Sequence, residues 1–189
     1  MGAPPPTGSV RRVSASPSVT LRARTEADHD VLYRLAADLA TWEERNPSPP
    51  APLTRSAYDA RLARADSDES GNVRFVIEVD GVAVGTIGLF EVDGYARHAE
   101  VGIALVPEAR GRGIGTTAIT QLVDFAFTRH NLRRLHLQAI ASNVGALRAY
   151  ERAGFAVEGR LREHAWVRGA YEDIVLMGLL RSDWRAAQI

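Results

Sequence analysis

The chain has 189 residues, 46% hydrophobic and 24% charged, with 23 basic against 23 acidic side chains and no cysteine. That length carries one domain with a real core, the zero formal charge excludes the strong field that nucleic acid or an anionic membrane surface would need, and the missing thiol excludes disulfides, cysteine nucleophiles and cysteine metal sites. No apolar run is long enough to cross a bilayer, and Met1–Ser18 holds PPP and SASPS but no apolar signal core, so it reads as a disordered tail ahead of a cytoplasmic domain.

Val19–Arg24 alternates and is predicted as the first strand. Thr25-Glu26-Ala27-Asp28 has the form of a capping box, and the helix after it places Val31, Leu32, Leu35, Ala36 and Leu39 on one face. Asn46–Pro52 holds four prolines and is a loop. Arg55–Ala65 is a second short helix and Asp66–Gly71 a polar loop. Val73–Val79 and Val82–Val92 are β-branched runs joined at Asp80-Gly81, which predicts a hairpin. Asp93-Gly94 turns this meander into its next strand, Arg97–Val106. Gly113–Arg129 is a helix and Leu132–Ala139 a strand. Asn143 can cap a short helix, Val144–Ala153, which Gly154 ends. Phe155–Arg162 and Tyr171–Leu180 close the sheet as an antiparallel pair. Strands outnumber helices and mostly follow one another, so the fold class is α+β, with a mixed, mostly antiparallel central sheet flanked by helices.

The most informative stretch is Val106–Ile119. An apolar strand, Glu100–Val106, leads into it. A helix leaves it with Ile114, Ala118, Ile119, Leu122, Phe125 and Ala126 at helical spacing. Between them Gly111, Gly113 and Gly115 alternate, with Arg110 and Arg112 interleaved. The orphan N–H groups and partial positive charge of a helix N-terminus attract anions, and glycines let an anion approach them. The stretch therefore reads as a phosphate or diphosphate site, or as a plain glycine-rich helix start. A P-loop needs a lysine, and all 23 basic residues here are arginine. A dinucleotide fingerprint needs a third glycine where Thr116 stands. His29, His98, His130, His136 and His164 lack metal-ligand spacing. His98 and His164 remain secondary candidates for a proton acceptor.

The segment Arg110–Gly115 resembles the (Q/R)xxGxG/A acyl-CoA loop of the GNAT-fold N-acetyltransferases. Ala141–Leu161, ASNVGALRAYERAGFAVEGRL, resembles the second signature of that superfamily: an asparagine, a short helix carrying a tyrosine, then GFxxEG. The resemblance covers Leu21–Leu180 and leans towards the spermidine and ribosomal-protein acetyltransferase branch. It implies a single domain over residues 19–185, with acetyl-CoA as donor. The implied acceptor is a primary amine of a small molecule, polyamine-like or borne by a metabolite or antibiotic. A protein N-terminal α-amine is the alternative acceptor. An acyl-CoA-binding sensor without turnover is the alternative of another class. The resemblance also implies a homodimer, with the final hairpin and the Trp184 segment as its support.

On this reading the diphosphate lies over Gly111, Arg112, Gly113, Ile114, Gly115 and Thr116, with Arg110 beside it. The pantetheine arm pairs with the backbone of Ala104, Leu105 and Val106, where the resemblance implies that neighbouring strands splay, and a backbone donor near Leu105 forms an oxyanion hole. Asn143 caps its helix, and the resemblance adds a bond to pantetheine. Ala146, Arg148 and Tyr150 follow on that helix. Arg148 and Arg152 reach the nucleotide's phosphates or form a solvated face. Tyr150 is the general acid at the departing thiolate or a half-buried core aromatic.

An alkylammonium has a pKa near ~10 and must lose a proton before it attacks. A carboxylate can take it. Glu100 is the candidate base, with an ion pair to Arg97 as its alternative. Trp42-Glu43-Glu44 resembles the W(x)EEP segment whose acidic residues face a cationic acceptor in spermidine acetyltransferases. Glu91 and Asp93 extend that acidic wall and Arg45 offsets it. An ordinary solvated helix end is the alternative. For a peptide N-terminus or an amino sugar, Trp166 and Tyr171 are candidates to line the pocket.

Overall fold

The computed structural model describes residues 18–44, 49–67 and 70–187. The predicted tail up to residue 17, Arg45, the start of the proline loop (46–48) and residues 68–69 of the polar loop lie outside the described residues. The strands are β1 (Val19–Arg22), β2 (Val73–Val79), β3 (Val82–Asp93), β4 (His98–Leu105), β5 (Arg134–Ile140), β6 (Ala156–Val167) and β7 (Ala170–Leu180). The helices are α1 (His29–Ala37), α2 (Leu39–Glu43), α3 (Arg55–Asp66), α4 (Ile114–Thr128), α5 (Val144–Arg152) and α6 (Arg181–Ala186). The strands form a single 7-stranded sheet in the order β1-β2-β3-β4-β5-β7-β6. Every neighbouring pair is antiparallel except β4 and β5, which run parallel. This is the mixed α+β sheet that the sequence predicts.

The β1–β4 meander forms because alternating apolar runs meet turns of matching geometry. Asp80 and Gly81 take φ of 50° and 82°, the doubly left-handed pair of a two-residue hairpin turn. One face of the sheet is sealed by α4. Its Ala118, Ile119, Leu122, Ala126 and Phe127 pack with Ala99 and Val101 of β4 and Leu135 and Leu137 of β5. Burying side chains of the size of Leu122 or Phe127 contributes about 2–3 kcal/mol each. A second cluster joins α1 and α3 through Leu32, Tyr58 and Val76. Asp28, 3% exposed, is tied down by Arg22 at 2.7 and 2.8 Å and by the backbone N–H of Thr25 at 2.8 Å.

The first helix departs from expectation. It ends at Ala37, because Asp38 turns to φ −73° and ψ 111° and its carboxylate accepts the Thr41 backbone N–H at 2.9 Å. A side chain that bonds backbone N–H groups further along the chain starts a new helix. Trp42, Glu43 and Glu44 therefore sit on or beside the separate α2, and Leu39 is 46% exposed rather than on the buried stripe.

The final hairpin is longer than predicted. β6, irregular in register at Val157/Gly159 and again at Leu161/Ala165, continues past Arg162 and turns at Arg168 and Gly169, with φ of 49° and 84°. After β7 the chain forms α6, absent from the sequence reading, and Trp184 packs on Phe127 at 5.4 Å between ring centroids.

One detail of the second sheet face bears on the site. Gly88 and Gly102 are register partners across β3 and β4, and so are Phe90 and Glu100. A Cβ placed on Gly88 would collide with the Val73 carbonyl oxygen and lie 3.1 Å from the Phe90 ring, and one on Gly102 would lie 2.9 Å from that ring. The two glycines make the slot in which that ring lies, with the Arg74 guanidinium 5.3 Å above it.

Candidate active site

The parallel pair is short. β4 and β5 are in register only at His98–Arg134, Ala99–Leu135 and Glu100–His136. Beyond Glu100 the strands part, while β4 continues to Leu105 on its other side against β3. A sheet that opens in this way leaves backbone polar groups on the inner edge of β4 without a strand partner. Into the opening faces the start of α4. Gly113 is its N-cap at φ 80°, and Gly111 takes φ of 70°. A Cβ built on either glycine meets no atom within 4 Å. The glycines are thus required by backbone conformation, and the space in front of them is open to a ligand.

The cleft so formed has a volume of about 340 Å³. From β4 it is lined by Ile103, Ala104 and Leu105, and from the loop and α4 by Arg110, Gly111, Gly113, Gly115, Thr116 and Ile119. From α5 come Gly145, Ala146, Arg148, Ala149, Tyr150 and Arg152, with Asn143 at its cap and Thr41 and Glu44 above. Most of the predicted cofactor residues therefore come together here. Val106, Arg112 and Ile114 do not line the cleft: the Val106 N–H is bonded to Val84, Arg112 is exposed, and the Ile114 side chain is in the core.

Asn143 caps α5 by accepting the Ala146 N–H at 3.1 Å, and its amide donates to the Glu44 carbonyl at 3.4 Å. Tyr150 is 5% exposed, stacks edge-on with Phe155 at 5.9 Å and still reaches the cleft wall.

Arg110 is not aimed at the glycine loop. Its guanidinium donates to the Leu105 carbonyl at 3.1 Å, to the Glu44 carboxylate at 2.8 Å and to the Thr41 hydroxyl at 2.9 Å. Glu44 also accepts from Arg168 at 2.9 Å, and Glu43 lies 3.7 Å from the same guanidinium. The acidic pair is therefore bridged by cations from the glycine-rich loop and from the tip of the β6–β7 hairpin. Trp42 packs under Arg61, 5.9 Å from the guanidinium carbon to the ring centroid. Thr41 and Arg168 were not singled out by sequence reasoning. The Asp38-to-Thr41 spacing of a capping residue and the Arg168-Gly169 dipeptide are the signals that point to them.

The carboxylates on the second face are less committed. Glu91 sits at a bulge in β3 with φ 47°, and Asp93 caps the backbone N–H groups of Tyr95 and Ala96 at 2.8 and 2.6 Å. Glu100 forms no ion pair with Arg97 among the described residues. Burial, and then the charge of Glu91, holds its carboxyl above the ordinary carboxylate range. Trp166 and Tyr171 are exposed register partners on the hairpin, 4.9 Å apart, and do not line the cleft.

A sheet split at its one parallel pair, above a helix that starts in left-handed glycines, is the architecture of the GNAT fold. The family profile described as Acetyltransferase (GNAT) domain matches residues 18–156. The chain belongs to this family.

Among its relatives, spermidine N(1)-acetyltransferase of Escherichia coli K12 is 34% identical over 113 residues, which is 60% of this chain and 61% of that protein. The Vibrio cholerae enzyme of the same name is 35% identical over 112 residues, 59% of this chain and 65% of that one. The putative ribosomal N-acetyltransferase YdaF of Bacillus subtilis is 35% identical over 105 residues, 56% of this chain and 57% of that one. The matches thus span about three fifths of these relatives' lengths. The structure of Vibrio cholerae spermidine N-acetyltransferase in complex with CoA and spermine superposes with a TM-score of 0.81 at 28% identity, over 88% of this chain and 98% of that one.

Proposed function

We propose that the chain is an acetyl-CoA-dependent N-acetyltransferase whose acceptor is a primary amine of a polyamine-like small molecule. The observation that carries this reading is the cleft itself: an open β4 edge that leads to left-handed glycines at a helix start. The open space at Gly111 and Gly113 fits a diphosphate, and the β4 edge at Ile103–Leu105, which has no strand partner beyond Glu100 and whose Leu105 carbonyl accepts from Arg110, fits a peptide-like arm. Arg148 and Arg152, both on the cleft wall, stand at the phosphate end. The bound donor supplies a thioester carbonyl carbon open to attack. A backbone donor of β4 near Leu105 polarises the carbonyl. Glu100, at the apex where the strands part, takes the amine's proton. The Tyr150 hydroxyl gives a proton to the sulfur.

The acidic wall differs from the one predicted. Glu43 and Glu44 are matched by Arg168 and Arg110, so Glu91, Asp93 and Glu100 are the carboxylates left to attract a cationic acceptor. The relatives that act on spermidine support a polyamine-like amine. A cytoplasmic location, and pairing of two copies through the exposed Val157 and Leu161 on β6, belong to the same reading.

A panel of spermidine, spermine, an aminoglycoside and a peptide with a free N-terminus, incubated with acetyl-CoA and followed by thiol release and mass spectrometry, tests it. Acetylation of spermidine or spermine is the expected result. Binding of acetyl-CoA without turnover on any amine favours a sensor, and selective acetylation of the peptide transfers the reading to protein N-termini. Tyr150→Phe is expected to lower kcat about 10- to 100-fold with the CoA dissociation constant within about twofold of wild type, because the hydroxyl acts on the leaving group and not on the nucleotide. Wild-type turnover in this variant returns Tyr150 to the core.

A further inference from the structure

We propose that His136 and His98 carry the amine's proton from Glu100 to solvent, an inference that deepens the general-base reading above and rests on it. Glu100 and His136 are the last register partners of β4 and β5. Partnered residues on neighbouring strands project to the same face, so Glu100 and His136 share one face at the point where the strands part. His98 lies two residues before Glu100 on β4 and on the same face. Its ring meets that of His136 at 5.4 Å between centroids and 62° between planes. His98 Nε2 stands 3.8 Å from Asp93 Oδ2, and these two side chains are 34% and 43% exposed. The four groups run from the point where β4 and β5 part, beside the cleft rather than on its lining, to water. They run back along the paired ends of β4 and β5, away from Leu105, so water reaching this line does not pass the thioester.

A second observation points the same way. His98 Nδ1 is buried without a hydrogen-bond partner among the described residues. A buried ring nitrogen left unpaired is destabilising, and such an atom calls for an explanation. Taking and releasing a proton is one that its neighbours supply. The charged groups that face the line are Glu91 and Asp93 from β3, Arg134 from β5 and Glu158 from β6, of which Arg134 and Glu158 are paired with each other. Burial raises Glu100 from its ordinary 4.5, with Glu91 adding to the rise, and burial lowers His136 from 6.5, with His98 and Arg134 adding to the fall. The two shifts run in opposite senses, the carboxyl upward and the imidazole downward.

The balance is as follows. The amine nitrogen forms its bond to the acyl carbon as the carbon–sulfur bond breaks, and the ammonium gives up two protons in all. One passes to Glu100 before attack, then to the His136 imidazole, which releases its own N–H proton to His98 and so to water. The other leaves the acylated nitrogen for solvent as the carbon–sulfur bond breaks. Tyr150 supplies the proton that ends on sulfur and is reprotonated from solvent. Net, one proton resides on the CoA thiol and one in water.

Steady-state kinetics of the full chain test the relay, with acetyl-CoA and spermidine (or the panel amine that turns over, if spermidine does not), with and without added imidazole. His136→Asn is expected to lower kcat about tenfold at pH 7, to leave the KM for acetyl-CoA within about twofold and to regain turnover with imidazole. His98→Asn follows in the same direction with a smaller loss, and it carries the test if circular dichroism shows His136→Asn unfolded. Wild-type kcat in these variants, or a loss that imidazole does not relieve, overturns the relay. With Glu100→Gln measured alongside, an unchanged pH profile in that variant brings down the base assignment and the relay together. A normal loss at Glu100 with silent histidine variants brings down the relay alone.

Discussion

Replacing Glu100 by glutamine is expected to lower kcat/KM by about 10²- to 10³-fold at pH 7, with the deficit shrinking towards pH 10. Only the ionised carboxylate takes a proton. Burial and the Glu91 charge hold the folded-state pKa of Glu100 above its ordinary 4.5, so the base is protonated over part of the acid range and wild-type kcat/KM climbs as pH rises through that raised value. Glutamine has the same shape and no such titration, so the variant lacks this limb. At the alkaline end the amine, with a pKa near ~10, deprotonates in solution and no longer needs the base. The pH–rate profiles of the two proteins check this. Profiles that run parallel over the whole range remove Glu100 from the chemistry.

The second large effect belongs to the start of α4. Gly113→Val is expected to weaken CoA binding about 100-fold, equivalent to about 2.7 kcal/mol, and to lower the melting temperature by several degrees. The second effect is backbone strain: φ is 80° at this position, where a β-branched residue is an outlier. The first effect is occupancy, since the new side chain enters the open space in front of the helix N-terminus. Gly81 separates the two. It has φ of 82° and equally open surroundings, but it lies in the β2–β3 turn and outside the cleft. Gly81→Val is expected to lose similar stability and to keep full CoA affinity by calorimetry. Equal loss of affinity in both variants would show that strain alone is responsible and that no anion sits at Gly113.

Much of this site was legible from residue order because it depends on local signals. The change from strand periodicity at Glu100–Leu105 to helical periodicity after Ile114, with glycines at the junction, fixes a strand, a left-handed turn and a helix start. Asn143 reads as a cap because its side chain bonds a backbone N–H three residues on. Asp80-Gly81 reads as a hairpin for the same local reason. The rest depends on geometry that sequence spacing does not carry. Asp38 breaks the first helix although Leu39 keeps its apolar rhythm. β6 hides its second half behind register shifts and a turn led by arginine. Arg110 looks like a phosphate ligand in sequence, yet it spans Thr41 and Glu44, far away along the chain. The pairing of Glu100 with His136 exists only once the short parallel register of β4 and β5 is known.

Phe90 and its two glycines carry a consequence for how this protein can drift. The ring fills a slot that exists because positions 88 and 102 lack a Cβ, and its register partner is Glu100. A methyl at Gly102 has to displace the ring of the residue that partners Glu100, whereas one at Gly88 first meets the Val73 backbone carbonyl. Positions 90 and 102 therefore form one heritable unit. Descendants that enlarge residue 102 are expected to carry a smaller residue 90 as well, residue 88 is held as glycine by the neighbouring backbone whatever stands at 90, and the order in which such changes accumulate is constrained by the chemistry next door.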